Sequence, residues 1–124
     1  MKVLVATEKP FSKAAVDGIR TIVEEAGYEL ALLEKYTDVQ QFYDAVADAD
    51  ALIVRSDKVT KEVIDHANNL KIVVRAGAGF DNLDLAACTE KNIVAMNTPG
   101  QNSNAVAELA IGMMIYMARN TFKP

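Results

Sequence analysis

The sequence predicts an α/β domain built on a doubly wound parallel sheet of about five strands. Five short runs rich in β-branched residues recur along the chain. The segments between them are too long for hairpins, and they carry apolar residues at helical spacing. Two of the runs, Leu52–Val54 and Ile72–Val74, are continuously apolar, which is typical of parallel strands that helices cover on both faces.

The elements follow in strict alternation. The predicted strands are Val3–Ala6, Tyr28–Leu33, Ala51–Arg55, Lys71–Arg75 and Ile93–Asn97. The predicted helices lie at residues 12–26, 37–48, 60–68 and 84–91, followed by a last helix from about Ser103 to Arg119. Gly27 is a stop signal for the first helix, and Thr37 with Gln40 fits a capping box for the second. Thr60 and Asp84 are the expected N-caps of the next two helices.

Composition and charge limit the classes of protein to which the chain can belong. The chain has 124 residues, 51% of them hydrophobic and 24% charged, which suits one globular domain. The formal net charge of −4 lacks the basic footprint of a nucleic-acid-binding protein. The single cysteine, Cys88, rules out an internal disulfide framework.

Neither end of the chain predicts a membrane protein. The N-terminal MKVLVATEKP contains an apolar run of four residues, too short for a signal peptide, so a cytoplasmic location is expected. The apolar segment 105–118 rises only about 21 Å as a helix, which is short of the roughly 30 Å hydrocarbon core of a bilayer.

Polar and glycine residues cluster where three of the predicted strands end. In parallel α/β sheets, ligands bind beyond the carboxyl ends of the strands. Arg55-Ser56 lies at the end of the third strand. The segment Arg75–Asn82 begins at the last residue of the fourth strand, and Asn97–Asn102 begins at the last residue of the fifth. Guanidinium groups offer a rigid fork of donors to carboxylate or phosphate, and a glycine-rich turn exposes backbone N–H groups. The pattern predicts a site for a small anionic metabolite.

Other features point away from catalysis within this chain. Gly77-Ala78-Gly79 is not a dinucleotide fingerprint, because Asn82 occupies the place of the third glycine and the turn follows the fourth strand. His66 is the only histidine; it falls in the middle of a predicted short helix and is expected on the surface or in packing. With Cys88 on a helix stripe, no metal-ligand cluster and no Ser/His/Asp or Cys/His arrangement can be assembled.

Four segments together resemble the D-2-hydroxyacid dehydrogenase family. They are Leu52–Ser56, Arg75–Asp84, Asn97–Asn102 and Val106–Leu109, in the family's order and spacing. The resemblance covers nearly the whole chain. It implies a flavodoxin-like substrate domain at residues 1–102, and it makes residues 103–124 the opening helix of a dinucleotide-binding domain that is otherwise missing.

The resemblance also assigns residue roles. Arg55 and Ser56 would bind the anionic end of the substrate, and Arg75 and Asn102 would support that pocket. In the Gly77-Ala78-Gly79 turn, the backbone N–H groups of Ala78 and Gly79 would bind the substrate carboxylate. Ala78 and Val106 would contact the nicotinamide side of the cleft.

The implied activity belongs to a longer parent chain. The resemblance implies NAD-dependent oxidation of a small 2-hydroxy acid, with 3-phospho-D-glycerate as the favoured substrate, 3-phosphooxypyruvate as the product and serine biosynthesis as the context. A glyoxylate or hydroxypyruvate type of dehydrogenase is the alternative. Residues 1–124 lack the cofactor fingerprint and the family's catalytic Arg, Glu and His, so we expect no turnover from them alone.

Two hypotheses from other functional classes are compatible with the same fold. A phospho-receiver module needs an acidic pair after the first strand, an Asp after the third and a Lys after the fifth. At these three places the chain has Thr7-Glu8, Arg55-Ser56 and Asn97-Thr98. The sequence therefore disfavours a phospho-receiver module. A non-catalytic ligand-binding domain remains open.

The last predicted helix suggests self-association. Its large apolar residues cover more than one face, and a helix of this kind belongs in a core. Because the domain that would bury it is missing, we expect a homodimer or higher oligomer through residues 103–119.

Overall fold

The computed structural model describes residues 2–7, 13–34, 36–55, 57–75, 83–97 and 112. Strands and helices alternate along these residues: β1 (Lys2–Thr7), α1 (Lys13–Glu25), β2 (Glu29–Glu34), α2 (Val39–Val46), β3 (Ala51–Val54), α3 (Lys61–His66), β4 (Ile72–Arg75), α4 (Leu85–Glu90) and β5 (Val94–Asn97). The five predicted strands and the first four predicted helices are confirmed. Of the last predicted helix, only Gly112 is described; it is helical and exposed.

All five strands are parallel, in the order β2-β1-β3-β4-β5. The chain runs from β1 outward to β2 and then returns past β1 to β3. The direction of winding therefore reverses between β1 and β3, and this reversal is the switch point at which doubly wound sheets bind ligands. The predicted fold class is confirmed.

Alternate residues of the central strands enter two separate cores. On one face, Leu4, Leu52 and Val73 pack with side chains of α2, α3 and α4 such as Phe42 and Ile64. On the other face, a second cluster contains apolar side chains of β1, β3 and β4 together with two residues of α1: Val3, Val5, Ala51, Ile53, Ile72, Val74, Ile19 and Val23. These residues are almost fully buried. Continuous apolar strands are therefore required, because both faces of the sheet are covered.

The helix ends confirm three of the predicted signals. Gly27 has φ +80° after α1, a left-handed conformation that glycine adopts without steric cost. Val63 N–H donates to Thr60 Oγ1 at 3.4 Å, and Ala87 N–H donates to Asp84 Oδ1 at 3.0 Å. Thr60 and Asp84 are the N-caps of α3 and α4.

The capping box predicted for α2 was one residue out of place. The N-cap is Asp38, not Thr37, and its partner is Gln41, not Gln40. Asp38 Oδ1 accepts from Gln40 N–H at 3.0 Å, and Gln41 Oε1 accepts from Asp38 N–H at 3.3 Å. An Asp carboxylate caps at least as well as a Thr hydroxyl, so the helix begins one residue later.

The position predicted for His66 was also wrong. His66 is the last residue of α3 rather than its middle, because Ala67 leaves the helix with ψ 94°. Its exposed ring stacks on Tyr43 with centroids 4.3 Å apart, and its Nδ1 lies 2.7 Å from the Glu62 carbonyl oxygen. The surface and packing role expected for His66 agrees with this placement.

Candidate functional site

The described strand ends place three of the polar residues side by side. Val54, the last residue of β3, is opposite Arg75 of β4, and Arg75 is opposite Asn97 of β5. Arg55 follows Val54 directly. The carboxyl edge of the sheet therefore presents two arginines and an asparagine on three neighbouring strands, as the sequence predicted.

The two arginines are in direct contact. Arg75 Nε donates a hydrogen bond to the Arg55 backbone carbonyl oxygen at 3.0 Å. Arg75 is half-buried and Arg55 is exposed. We call these two residues the arginine pair. Two arginines thus lie at the same edge of the sheet, and residues of this kind suit an anion with more than one negative charge.

The remaining predicted site residues lie outside the described residues. They are Ser56, Gly77, Ala78, Gly79, Asn102 and Val106. The structure therefore brings together Arg55 and Arg75, and it describes the residues on either side of the glycine turn, Arg75 and Leu83.

Sequence reasoning missed a buried carboxylate at the same edge. Asp57 is 6% exposed and lies two residues after Arg55. Its Oδ2 accepts a hydrogen bond from the Tyr36 hydroxyl at 2.5 Å. Tyr36 follows β2, so the bond joins the ends of β2 and β3. The available signal was an acidic residue in a segment where the other polar groups are cationic or neutral.

An open depression of about 360 Å³ lies beside this edge, next to the N-terminal ends of α3 and α4. Its described lining residues are Lys58, Val59, Thr60, Lys61, Glu62, Leu83 and Asp84. Both lysines share it with carboxylates, and Lys61 Nζ lies 3.1 Å from Asp65 Oδ2. The described lining of the depression thus carries balanced charge, with two lysines and two carboxylates.

Cys88 is not available as a nucleophile. Its side chain is buried in the core under α4. Burial raises the pKa of the Cys88 thiol, and the nearby Asp84 carboxylate raises it further. A raised pKa leaves little of the reactive thiolate at neutral pH.

The described residues contain no group of three or more His, Cys, Asp or Glu side chains placed to hold a metal ion. Within the same residues, no helix has the length and apolarity needed to cross a bilayer.

A comparison with known families decides the assignment. The family of the D-isomer specific 2-hydroxyacid dehydrogenase catalytic domain matches residues 6–121. This chain belongs to the D-2-hydroxyacid dehydrogenase family. The expected family is thereby confirmed, and the members of this family are oxidoreductases that act on small 2-hydroxy acids.

Several relatives within the family are similar to the chain. D-3-phosphoglycerate dehydrogenase of Methanocaldococcus jannaschii is 45% identical over 100 residues, covering 80% of this chain and 19% of that protein. Hydroxypyruvate reductase of Thermotoga maritima is 41% identical over 93 residues, covering 74% of this chain and 30% of that protein.

A solved structure in the family extends the similarity over the whole chain. The NAD⁺-bound 3-phosphoglycerate dehydrogenase of Entamoeba histolytica is 54% identical, with a TM-score of 0.79, and it matches 100% of this chain and 41% of that protein. The chain therefore spans between about a fifth and two fifths of the length of these relatives.

Proposed function

We propose that this chain supplies the substrate-binding edge of an NAD-dependent dehydrogenase that oxidises 3-phospho-D-glycerate to 3-phosphooxypyruvate in serine biosynthesis. One observation carries the proposal: the Arg75 Nε–H to Arg55 carbonyl contact at 3.0 Å, at the carboxyl edge of a parallel sheet. This contact joins the side chain of one arginine to the backbone of another where such sheets bind ligands.

The substrate chemistry matches the arginine pair. 3-Phospho-D-glycerate carries a phosphate and a carboxylate, and an arginine fork binds either group through two parallel hydrogen bonds. We assign the anionic end of the substrate to Arg55 and Ser56, with support from Arg75 and Asn102. The backbone N–H groups in the Gly77-Ala78-Gly79 turn would take the carboxylate.

We propose NAD as the cofactor, and when bound it would accept the hydride from the substrate. The NAD⁺-bound enzyme of Entamoeba histolytica supports this choice. Residues 1–124 contain no G-x-G-x-x-G turn, and we propose that the cofactor's phosphates bind outside these residues. We propose that residues 1–102 belong to the substrate domain, that residues 103–124 open a dinucleotide-binding domain, and that Ala78 and Val106 contact the nicotinamide.

A second candidate function is reduction of hydroxypyruvate or glyoxylate. The 41% identity to the hydroxypyruvate reductase of Thermotoga maritima favours it. These substrates carry one carboxylate and no phosphate. The two candidates therefore differ in how much of the binding free energy comes from the phosphate contacts of the arginine pair.

Ligand titration of residues 1–124 separates the candidates. We expect 3-phospho-D-glycerate to bind at least tenfold more tightly than D-glycerate by isothermal titration calorimetry, because charge-assisted hydrogen bonds are worth roughly 1.5–3 kcal/mol. Equal affinity for D-glycerate and hydroxypyruvate, with no gain from the phosphate, would favour the second candidate.

A turnover assay tests whether residues 1–124 supply only the substrate-binding edge of the enzyme. We expect no NADH formation from residues 1–124 with 3-phospho-D-glycerate and NAD⁺. Grafting residues 1–97 in place of the matching segment of the Entamoeba histolytica enzyme should give a chimera that oxidises 3-phospho-D-glycerate. A chimera that folds, binds NAD⁺ and is inactive with this substrate would contradict the proposal.

We also propose self-association through residues 103–119. The apolar residues there, including Leu109, Ile111, Met113 and Met114, cover more than one helical face, and pairing with a second copy would bury them. Light scattering at micromolar concentration should report a dimer or larger. A stable monomer of 13.5 kDa would contradict this assignment.

A further inference from the structure

We propose that Tyr36 and Asp57 are positioning residues that hold the arginine pair in its anion-binding arrangement. The inference rests on the proposed function, since it concerns the same edge of the sheet. Neither residue belongs to the predicted binding set. Both act through the segment that carries Arg55.

The Tyr36–Asp57 hydrogen bond lies at the switch point of the sheet. Tyr36 follows β2 and Asp57 follows β3, and β1 lies between these two strands. The bond therefore passes over the carboxyl end of β1, where Thr7 is fully buried. It ties together the chain segments on both sides of the place where a doubly wound sheet binds its ligand.

Both partners are held by the core. The Tyr36 ring packs on Phe42 with centroids 5.6 Å apart, and Phe42 is 1% exposed. A carboxylate as buried as Asp57 is costly unless hydrogen bonds replace its hydration. The Tyr36 hydroxyl provides one such bond, so the position of Asp57 depends on it.

The segment is also fixed beyond Asp57. Val59 forms a parallel bridge with Leu83, and Asp84 N–H donates to the Val59 carbonyl oxygen at 2.9 Å. Residues 57–59 are thus anchored on the β2 side by Tyr36 and on the α4 side by Leu83 and Asp84. Only two peptide units separate Asp57 from Arg55.

The position of Arg55 then determines that of Arg75. The Arg75 guanidinium is oriented by a bond to a backbone carbonyl, and that carbonyl belongs to Arg55. A displacement of Asp57 would then shift the Arg55 carbonyl, which lies two peptide units away, and would weaken the hydrogen bond that it accepts from Arg75 Nε. Loss of the Tyr36 hydroxyl should therefore weaken anion binding although Tyr36 need not contact the anion.

The test uses residues 1–124 with inorganic phosphate and 3-phospho-D-glycerate as probes. The variants are Tyr36→Phe, Asp57→Ala, Asp57→Asn and the double variant Tyr36→Phe/Asp57→Ala. Tyr43→Phe is the matched control, because it removes a tyrosine hydroxyl from α2, on a ring that stacks on His66 instead. Two readouts are taken: the dissociation constant of each probe, and the hydrogen-exchange rate of the Arg75 Nε–H by NMR without any ligand.

We expect Tyr36→Phe and Asp57→Ala each to raise both dissociation constants about three- to tenfold, the range of one lost hydrogen bond. Exchange of the Arg75 Nε–H should accelerate by a similar factor. The double variant should be no worse than the weaker-binding single variant. Asp57→Asn should recover most of the affinity, since its Oδ1 still accepts from the Tyr36 hydroxyl.

Three outcomes would overturn the proposal. Tyr36→Phe could match Tyr43→Phe in both readouts. The single-variant effects could add in the double variant, which would mean that the two residues act separately. Asp57→Asn could bind phosphate more tightly than the unaltered chain, which would mean that the Asp57 charge opposes the anion.

A different result would contradict the proposed function. If the unaltered chain binds neither probe, the anion-binding assignment is lost for this chain. The exchange rate of the Arg75 Nε–H still decides whether Tyr36 and Asp57 position the arginine pair.

Discussion

The two ends of the sheet use charge in different ways. At the amino end, Lys2 Nζ lies 3.0 Å from Asp48 Oδ1, and Lys71 Nζ lies 3.8 Å from Asp50 Oδ1. Asp50 Oδ2 also accepts from the Lys2 backbone N–H at 2.8 Å. We call Lys2, Asp48, Asp50 and Lys71 the amino-end cluster. At the carboxyl end, Arg75 Nε donates to the backbone carbonyl oxygen of Arg55.

The difference separates a structural cluster from the proposed binding one. The amino-end cluster matches two ammonium groups with two carboxylates and fixes the start of β1 beside the segments that enter β3 and β4. The carboxyl end has Arg55 and Arg75 on neighbouring strands and a buried, hydrogen-bonded Asp57 in the segment that follows Arg55. Because all strands are parallel, only one end of the sheet is the ligand-binding edge, and the arginine pair lies at that end.

The largest effect should come from the sheet that joins the two ends. Ile53 is fully buried in the middle of β3. Ile53→Ala should lower the free energy of unfolding by about 2–5 kcal/mol, through lost burial and a residual cavity. Urea denaturation measures it, and Val39→Ala, at a position 50% exposed, should cost no more than about 0.5 kcal/mol. Equal costs at both positions would contradict the described core.

The arginine pair should control affinity with little effect on stability. Arg55→Ala or Arg75→Ala should weaken 3-phospho-D-glycerate binding about ten- to a hundredfold, because one charge-assisted contact is worth roughly 1.5–3 kcal/mol. Arg55→Lys should recover only part of this, since an ammonium group lacks the planar fork. Calorimetric titration measures the affinities. Unchanged affinity in both alanine variants would make the arginines structural, like the amino-end cluster.

Substitution of Asp50 should lower stability and leave ligand affinity nearly unchanged. Asp50→Ala removes the acceptor of the Lys2 backbone N–H and the carboxylate near Lys71, so the free energy of unfolding should fall by about 1–2 kcal/mol. Affinity for 3-phospho-D-glycerate should stay within twofold. Asp50→Asn keeps one acceptor oxygen and should cost less. A loss of affinity comparable to that of Arg75→Ala would remove the distinction between the two ends.

The smallest effect should be a pH dependence at the amino end. The hydrogen bond from the Lys2 ammonium holds the pKa of Asp48 below its ordinary value of 3.8. A lowered pKa in the folded state means that the stabilisation is present above the ordinary value and is lost as the pH falls through and below it. The Asp48 side chain is 66% exposed, so the contribution is at most a few tenths of a kcal/mol.

Lys2→Met provides the comparison for this titration. The difference in unfolding free energy between the unaltered chain and Lys2→Met should shrink between pH 6 and pH 3, because protonated Asp48 no longer gains from Lys2. A difference that grows as the pH falls would contradict the assignment.

The sequence by itself determined the architecture and the position of the arginine pair. Apolar runs such as Leu52–Val54 have to be buried on both faces, and the helical stripes between strands supply the layers that bury them. Arg55 and Arg75 follow or end such strands, so parallel pairing alone brings them to one edge. The N-caps Thr60 and Asp84 and the helix stop Gly27 could be predicted because caps and stops depend on local backbone chemistry.

Only the tertiary structure decided the details that depend on distant partners. The N-cap of α2 is Asp38 rather than its neighbour Thr37, and both residue types can cap a helix, so the local sequence left the choice open. The pairing of Tyr36 with Asp57 joins residues 21 apart in sequence, and it exists only because β2 and β3 both flank β1. No local pattern encodes that adjacency. A buried carboxylate is recognised once the fold shows which donor replaces its water.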